Sequence, residues 1–347
     1  MLEATGSVLP GFPPSFSLPT RPSTSMTSSP STAPAATASS AQKGSTASPF
    51  HARPPIISTI NFKGGVGKTT SCLNLAAAAY EERLSVLILD LDPQGSATEF
   101  ANLDRAGEGP TLFNWLTNSC SLQEVAVKIR GGERENNERE NSSSIFLCPA
   151  DERLIQIQNI LFSEGKRSYL QEALAKEALA TETSSFLRRF DFIFLDVPPS
   201  LSSLSDNVVL ASDLPLLVLS CQFMSLKGLR RFTSMIRRAE RAGADPDWYI
   251  LPTFYRPTEI ESSLVWSRVA EVAKVYPEGR LLSPIGRFAA FGQAFQAGKS
   301  IFEYDRRHPG AEQFLTAFIE IREAAGREDA APQNSAPQNS DPQKKAS

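Results

Sequence analysis

Three glycines, two lysines and two threonines stand together in Phe62-Lys-Gly-Gly-Val-Gly-Lys-Thr-Thr70. Residues of these types in this order suit one task, the cradling of phosphate groups. Gly64, Gly65 and Gly67 let the backbone curl so that its N–H groups point inward, and a helix that starts at the lysine adds positive dipole. Lys68 is placed to reach β/γ-phosphates, and the Thr69 hydroxyl to sit on Mg²⁺. The usual spacing, G-x-x-x-x-G-K-[ST], is not met. Its first glycine position holds Phe62, and a second lysine, Lys63, precedes Gly64.

Carboxylates form the other reactive group. The apolar run Ser85–Asp92 ends in two aspartates, Asp90 and Asp92, before Pro93-Gln94-Gly95. The run Phe190–Asp196 ends in Asp196, before Val197-Pro198-Pro199. One such aspartate is ordinarily a strand-end turn or a helix cap. Two of them, one helix downstream of a phosphate loop, point to a site, because open α/β sheets bind ligands at the C-terminal ends of their strands. Period two along a strand puts Asp90 and Asp92 on one side. An aspartate closing a later apolar strand is where nucleotide hydrolases hold Mg²⁺.

The elements that must position these groups are legible as apolar runs. Ile56–Ile60, Ser85–Asp92, Ile145–Cys148, Phe190–Asp196, Leu214–Ser220, Trp248–Thr253 and Leu281–Ile285 read as strands, several of them continuous enough to be buried on both faces of a parallel sheet. Helix-period stretches lie between them. The first carries Cys72, Leu75, Ala76 and Ala79, and the last, Ala311 to Ala325, carries Phe314, Leu315, Phe318 and Ile319. Alternating strands and helices predict a doubly wound α/β fold, a mostly parallel sheet of about seven or eight strands flanked by helices. Residues 97–130 read as helix and loop, and Asp151 to Glu182 as one long helical stretch.

Composition limits the alternatives. The chain has 347 residues, 41% of them hydrophobic, and a net charge of −3, which excludes a uniformly basic coat protein. Four scattered cysteines with no C-x-x-C pair suggest neither zinc nor a disulfide framework. No apolar run approaches the roughly 20 residues of a membrane-spanning helix, so a reducing, cytoplasm-like compartment is the default. Residues 1–52, rich in Ser, Thr, Pro and Ala, are expected to be a disordered extension, with an organelle transit peptide as the minor alternative. The folded part is expected at 53–326, with a polar surface insertion at about 131–144 and a disordered tail at 327–347. Ser225 to Arg241 reads as a helix carrying Lys227, Arg230, Arg231, Arg237, Arg238 and Arg241 against one acid, Glu240. That density fits a solvated face, or a surface for the phosphate backbone of DNA.

Phe62-Lys-Gly-Gly-Val-Gly-Lys-Thr-Thr70 resembles the deviant Walker A loop of the ParA/Soj/MinD branch of P-loop ATPases. Asp90-Leu-Asp-Pro-Gln-Gly-Ser-Ala-Thr98 resembles the Walker A′ strand end of its ParA members, and Phe192-Ile-Phe-Leu-Asp-Val-Pro-Pro-Ser-Leu201 resembles its Walker B segment. Ala211-Ser-Asp-Leu-Pro, Ser225-Leu-Lys-Gly-Leu-Arg230 and Ala294-Phe-Gln-Ala-Gly-Lys-Ser-Ile-Phe-Glu-Tyr-Asp305 follow in the same order. The likeness covers about 53–326. Val197 and the stretch Ile285-Gly-Arg-Phe-Ala-Ala-Phe-Gly292 depart from the family's pattern, so no DNA contact transfers to Arg287.

The resemblance implies an ATPase that uses ATP and Mg²⁺ and closes into a homodimer around the nucleotide. It implies catalytic roles for Lys63, Lys68 and Asp92. Lys63 would reach the partner's nucleotide, and Asp92 would orient the attacking water. Gly64, Gly65, Val66, Gly67, Lys68, Thr69 and Thr70 would bind phosphate, with Thr70 at the α-phosphate. Thr253, Tyr255 and Pro257 would hold adenine, and Thr69, Asp90 and Asp196 would serve the metal. A partition role further implies nonspecific DNA, a ParB-like stimulating partner, a cytoplasmic, nucleoid-associated location and no membrane. The competing readings are a MinD-like membrane-associated positioning ATPase, which needs a basic amphipathic anchor, and a P-loop ATPase of metallocluster chemistry, which needs cysteines at a dimer axis. A further alternative is a regulatory module that binds nucleotide without turnover.

Overall fold

β1 (Ile56–Ile60) lies at the middle of an eight-stranded sheet whose order is β3-β4-β2-β5-β1-β6-β7-β8. The computed structural model describes residues 53–103, 109–131, 143–179, 186–199, 203–244, 246–275 and 279–326, all within one compact unit. The extensions at 1–52 and 327–347, and nearly all of the insertion at 131–144, lie outside the described residues.

In chain order the strands are β1, β2 (Val86–Asp90), β3 (Val127–Arg130), β4 (Ile145–Cys148), β5 (Phe192–Asp196), β6 (Leu214–Ser220), β7 (Trp248–Thr253) and β8 (Gly279–Leu281). The helices are α1 (Lys68–Glu81), α2 (Ser96–Phe100), α3 (Leu112–Leu116), α4 (Leu122–Val125), α5 (Leu154–Ser163) and α6 (Tyr169–Leu179). After them come α7 (Ser203–Ala211), α8 (Leu226–Arg241), α9 (Ile260–Val275), α10 (Ala289–Gln296), α11 (Ile301–Tyr304) and α12 (Pro309–Ala324).

All pairs are parallel except β3 with β4. The chain winds from β1 towards β2 on one side and later returns to β6 on the other. The crevice outside the C-terminal ends near β1 is therefore a topological switch point, where such sheets bind ligands. Every residue of β1, β2, β5, β6 and β7 is buried, as continuous apolar runs covered on both faces must be. Alternate residues, among them Ile57, Ile88, Phe194, Leu216 and Leu251, join α1 and α12 in one core cluster. There the ring of Phe318 on α12 meets Phe192 at 5.4 Å. Residues of the other parity meet α8, where Phe232 meets Trp248 edge-on at 5.7 Å.

Four expectations change. Val127–Arg130 is an antiparallel edge strand within the region read as helix and loop. Its four residues are half-exposed or exposed and carry two cations, so no apolar run marks them. The long helical stretch is two helices, interrupted at Gly165, whose φ is 62°. The last strand is Gly279–Leu281 rather than Leu281–Ile285. It ends where Leu282 donates its N–H to Ile250 and the chain turns through Pro284. β2 ends at Asp90, so Asp92 stands in the following turn and not on the strand.

Candidate active site

The glycine loop runs from β1 into α1 as the sequence implies. Gly65 and Gly67 have φ of 71° and 91°, the left-handed region that glycine enters without penalty. A Cβ built at Gly64 or Gly65 would meet nothing within 4 Å, so the space above these two is open. α1 begins without a side-chain cap and without an acidic residue in its first turn. Its free N–H groups and positive dipole end are thus left to an anion. Val66 is buried, and its carbonyl accepts from Thr253 Oγ1 at 2.8 Å, which fastens the loop to the end of β7.

Lys68 is buried at 7% exposure, with Nζ 3.4 Å from the Lys63 carbonyl oxygen. Burial lowers its pKa, against the opposing pull of Asp196 and Asp92. A half-desolvated cation beside carboxylates and an open cradle is a strong recogniser of phosphate. The Lys63 side chain is exposed, while its N–H is held by Asn61 Oδ1 at 3.0 Å.

Asp90 and Asp196 are register partners on β2 and β5, and both are fully buried. Burial pushes Asp196 up to about 8, with the Asp90 charge adding to it; Lys68 and the nearby Thr69 hydroxyl oppose. Burial pushes Asp90 up to about 6, because its hydrogen bonds offset only part of the cost. The two carboxylates are otherwise treated differently. Asp90 accepts from Thr98 N at 2.9 Å, Thr98 Oγ1 at 2.7 Å and Asp92 N at 3.2 Å. Asp196 Oδ2 is buried and has no hydrogen-bond partner among the described residues. A buried carboxylate oxygen left bare beside a threonine hydroxyl fits a divalent cation that brings its own water and phosphate oxygens. Asp90 instead braces the turn that carries Asp92. Asp92 anchors that turn through Oδ1, which accepts from Gln94 N at 3.0 Å.

The three residues expected around adenine separate. Thr253 turns inward onto the loop, whereas Tyr255 and Pro257 line a cavity of about 580 Å³ with Arg256, Pro284, Arg287 and Phe288. Backbone pairing of Tyr255 with Ile285 and Arg287 closes its floor. Phe254, between Thr253 and Tyr255, has φ of 54° and brings its ring tip 3.9 Å from where a Gly67 Cβ would lie. That is a rarely populated backbone for an aromatic residue and belongs to a site held by its surroundings.

Sequence reasoning passed over Thr98, Asn61 and Asn74. Asn74 Nδ2 donates to the Thr70 carbonyl at 2.8 Å and its Oδ1 accepts from Ile301 N at 2.8 Å, tying α1 to α11. The one signal available was their type. Asn61, Thr98 and Asn74 are polar residues at positions that apolar periodicity would bury.

The six cations of α8 share one face. At 100° per residue they fall within an arc of about 120°, opposite the buried Leu229, Phe232, Met235, Ile236 and Ala239. Arg238 pairs with Asp206 at 2.8 Å. Lys227, Arg230, Arg231 and Arg241 are exposed and have no ion-pair partner among the described residues. No helix among the described residues is long and apolar enough to cross a membrane.

The AAA_31 family, described as an AAA domain, matches residues 55–246. An uncharacterised protein of Pseudomonas putida is 30% identical over 271 residues, covering 77% of this chain and 94% of its own. The sporulation initiation inhibitor protein Soj of Bacillus subtilis is 28% identical, covering 77% and 97%. The chromosome partitioning protein ParA of Caulobacter vibrioides is 29% identical, covering 77% and 93%. Among solved structures, an ATP complex of a Cyanothece McdA variant superposes with a TM-score of 0.62 at 21% identity, covering 80% and 99%. The Mg-ADP complex of the septum site-determining protein MinD from Pyrococcus horikoshii gives 0.56 at 19% identity, covering 79% and 98%. Loop, paired aspartates, sheet order and relatives agree, and the chain belongs to the ParA/MinD superfamily of P-loop ATPases.

Proposed function

We propose that the protein is a Mg²⁺-dependent ATPase of the ParA type, a switch that dimerises around ATP and, as a dimer, binds DNA nonspecifically to position a plasmid, a chromosome or another cargo. The observation that carries this reading is the single cationic arc of α8 on a chain that also holds a complete phosphate cradle. Phosphate-backbone binding needs concentrated positive charge and no base readout.

The residues divide the work as follows. The N–H groups of Gly64 to Gly67 and of the α1 start, with Lys68, hold the β/γ-phosphates. Thr70 lies at the α-phosphate, and Tyr255 and Pro257 wall the base, while Thr253 holds the loop. Thr69 and Asp196 hold the metal, with Asp90 behind them; bound Mg²⁺ supplies charge neutralisation to the phosphates. Asp92 orients the attacking water. Lys63, exposed at the mouth of the loop, reaches the partner's nucleotide, so that each site is completed by dimerisation. Nucleotide state then selects dimer over monomer through differential affinity, and a ParB-like partner accelerates hydrolysis. The setting is the cytoplasm, on the nucleoid.

Co-sedimentation with DNA in ATP and in ADP tests the proposal, with anionic lipid vesicles as a parallel arm. ATP-dependent DNA binding that falls steeply with salt is expected. If ATP makes no difference to DNA binding, the partition reading is lost; ATP-dependent vesicle binding without DNA binding would replace it with a MinD-like one.

A further inference from the structure

Asn61 is 2% exposed, and both ends of its side-chain amide are used. Oδ1 accepts from Lys63 N at 3.0 Å, and Nδ2 donates to the Val218 carbonyl at 2.6 Å. The first bond fixes the entry of the glycine loop. The second extends the β1–β6 ladder one step past Ile60, the last β1 residue in register with β6, so the Val218 carbonyl stays paired where β1 gives way to loop. The partners also fix which way the amide points, since an N–H requires the oxygen and a carbonyl requires the nitrogen.

The third contact is with α8. Gly228 is the third residue of that helix, and a Cβ built on it would stand 3.3 Å from Asn61 Oδ1 and 3.6 Å from Nδ2. Gly228 does not adopt the left-handed backbone that would by itself require glycine. Glycine in a helix costs about 1 kcal/mol relative to alanine, and the nearest atoms that a methyl group would crowd are those of the Asn61 amide. The first turn of the cationic helix therefore closes onto the residue that holds the Lys63 backbone, and Lys68 Nζ donates to the Lys63 carbonyl at 3.4 Å.

We propose that Asn61 is a positioning residue that ties the Lys63 end of the nucleotide loop to β6 and to the first turn of α8, so that phosphate held by the loop is felt at the base of the cationic helix. The small size of Gly228 is what lets the helix make this contact. The value of the tie for DNA release rests on the proposed function; the tie itself does not.

The test is amide hydrogen exchange of residues 230–233, whose N–H groups close the first turn of α8, in the full chain with and without saturating Mg-ADP. In the wild type, nucleotide should slow this exchange by about tenfold, a local-opening effect. Asn61→Ala and Gly228→Ala should each cut that ratio to about threefold or less, each variant being held at Mg-ADP that saturates it by its own measured affinity for a fluorescent ADP analogue. The helix propensity gained by alanine at 228 acts with and without nucleotide and cancels in the ratio. In the Asn61→Ala background Gly228→Ala should add nothing, because the side chain it displaces is gone. Additive losses, full protection in Asn61→Ala, or no nucleotide effect in the wild type would each overturn the proposal. Should Asn61→Ala fail to fold, Asn61→Ser, which keeps an acceptor for Lys63 N and withdraws from Val218, provides the same comparison. Wild-type protection without any DNA binding would sink the partition reading and leave the tie standing.

Discussion

The two charged regions of this molecule are built on opposite principles. At the ends of β1, β2 and β5 the ionisable groups are buried, few and individually placed: Lys68, Asp90 and Asp196 are each at or below 7% exposure. On α8 the groups are numerous and largely exposed. Burial raises the worth of each contact and the cost of leaving a group unpaired. Exposure makes each charge weak and screened, so only a sum of several amounts to a binding surface. Substitutions in the first region should therefore act singly and strongly, and those in the second gradually and in proportion to salt.

Lys68→Ala gives the largest expected effect. Removing the one buried cation of the cradle should lower kcat/KM for ATP by about a thousandfold or more, read as phosphate release, with the fold intact by circular dichroism. Asp92→Asn should come next, with turnover down by about a hundredfold and nucleotide affinity little changed, because Asp92 stands off the strand in a turn that Asp90 keeps in place. A loss of affinity equal to the loss of turnover would mean that Asp92 binds rather than orients.

On α8 the double substitution Arg230→Ala/Arg231→Ala should reduce DNA affinity by about tenfold at low salt and lower the log–log salt slope by about 1.8. Basal ATP turnover should not change. An all-or-none loss, or a change in turnover without DNA, would show that these arginines act like the buried set and would break the comparison.

The two regions also differ in how far the sequence discloses them. The loop, the aspartate-ended strands and the α/β order were readable, because each depends on local rules: glycine where φ turns positive, apolar continuity where both faces are covered. The cations of α8 were readable as a group, and counting 100° per residue already places them on one side. Side-chain ties across the fold were not. Asn61 to Val218 spans 157 residues, and Thr98 to Ala150 spans 52, and nothing local at either end announces the partner. The same holds for the edge strand Val127–Arg130, which is specified by its neighbour β4 more than by its own residues.

The smallest expected effect is the one that separates function from stability most cleanly. Asp196 is held at about 8 in the metal-free protein by burial and by Asp90 beside it, well above the ordinary carboxylate value. An acid whose pKa is raised on folding binds more protons in the native state than in the unfolded state, so its contribution to stability falls as pH rises from about 4 to about 8. An asparagine in its place would carry no such charge while keeping the size of the side chain and an amide to offer to neighbouring oxygens. Asp196→Asn should therefore raise the melting temperature of the metal-free protein at pH 8, by about 1 kcal/mol in stability, and the gain should shrink towards pH 5. The same substitution should abolish the extra stabilisation that Mg²⁺ gives to bound nucleotide. Thermal melts in chelator, at pH 5 and pH 8, measure the first effect, and melts in Mg-ADP the second. A variant less stable than wild type at pH 8 would mean that the bare Oδ2 is not under strain, and the buried site would then differ from α8 in location alone.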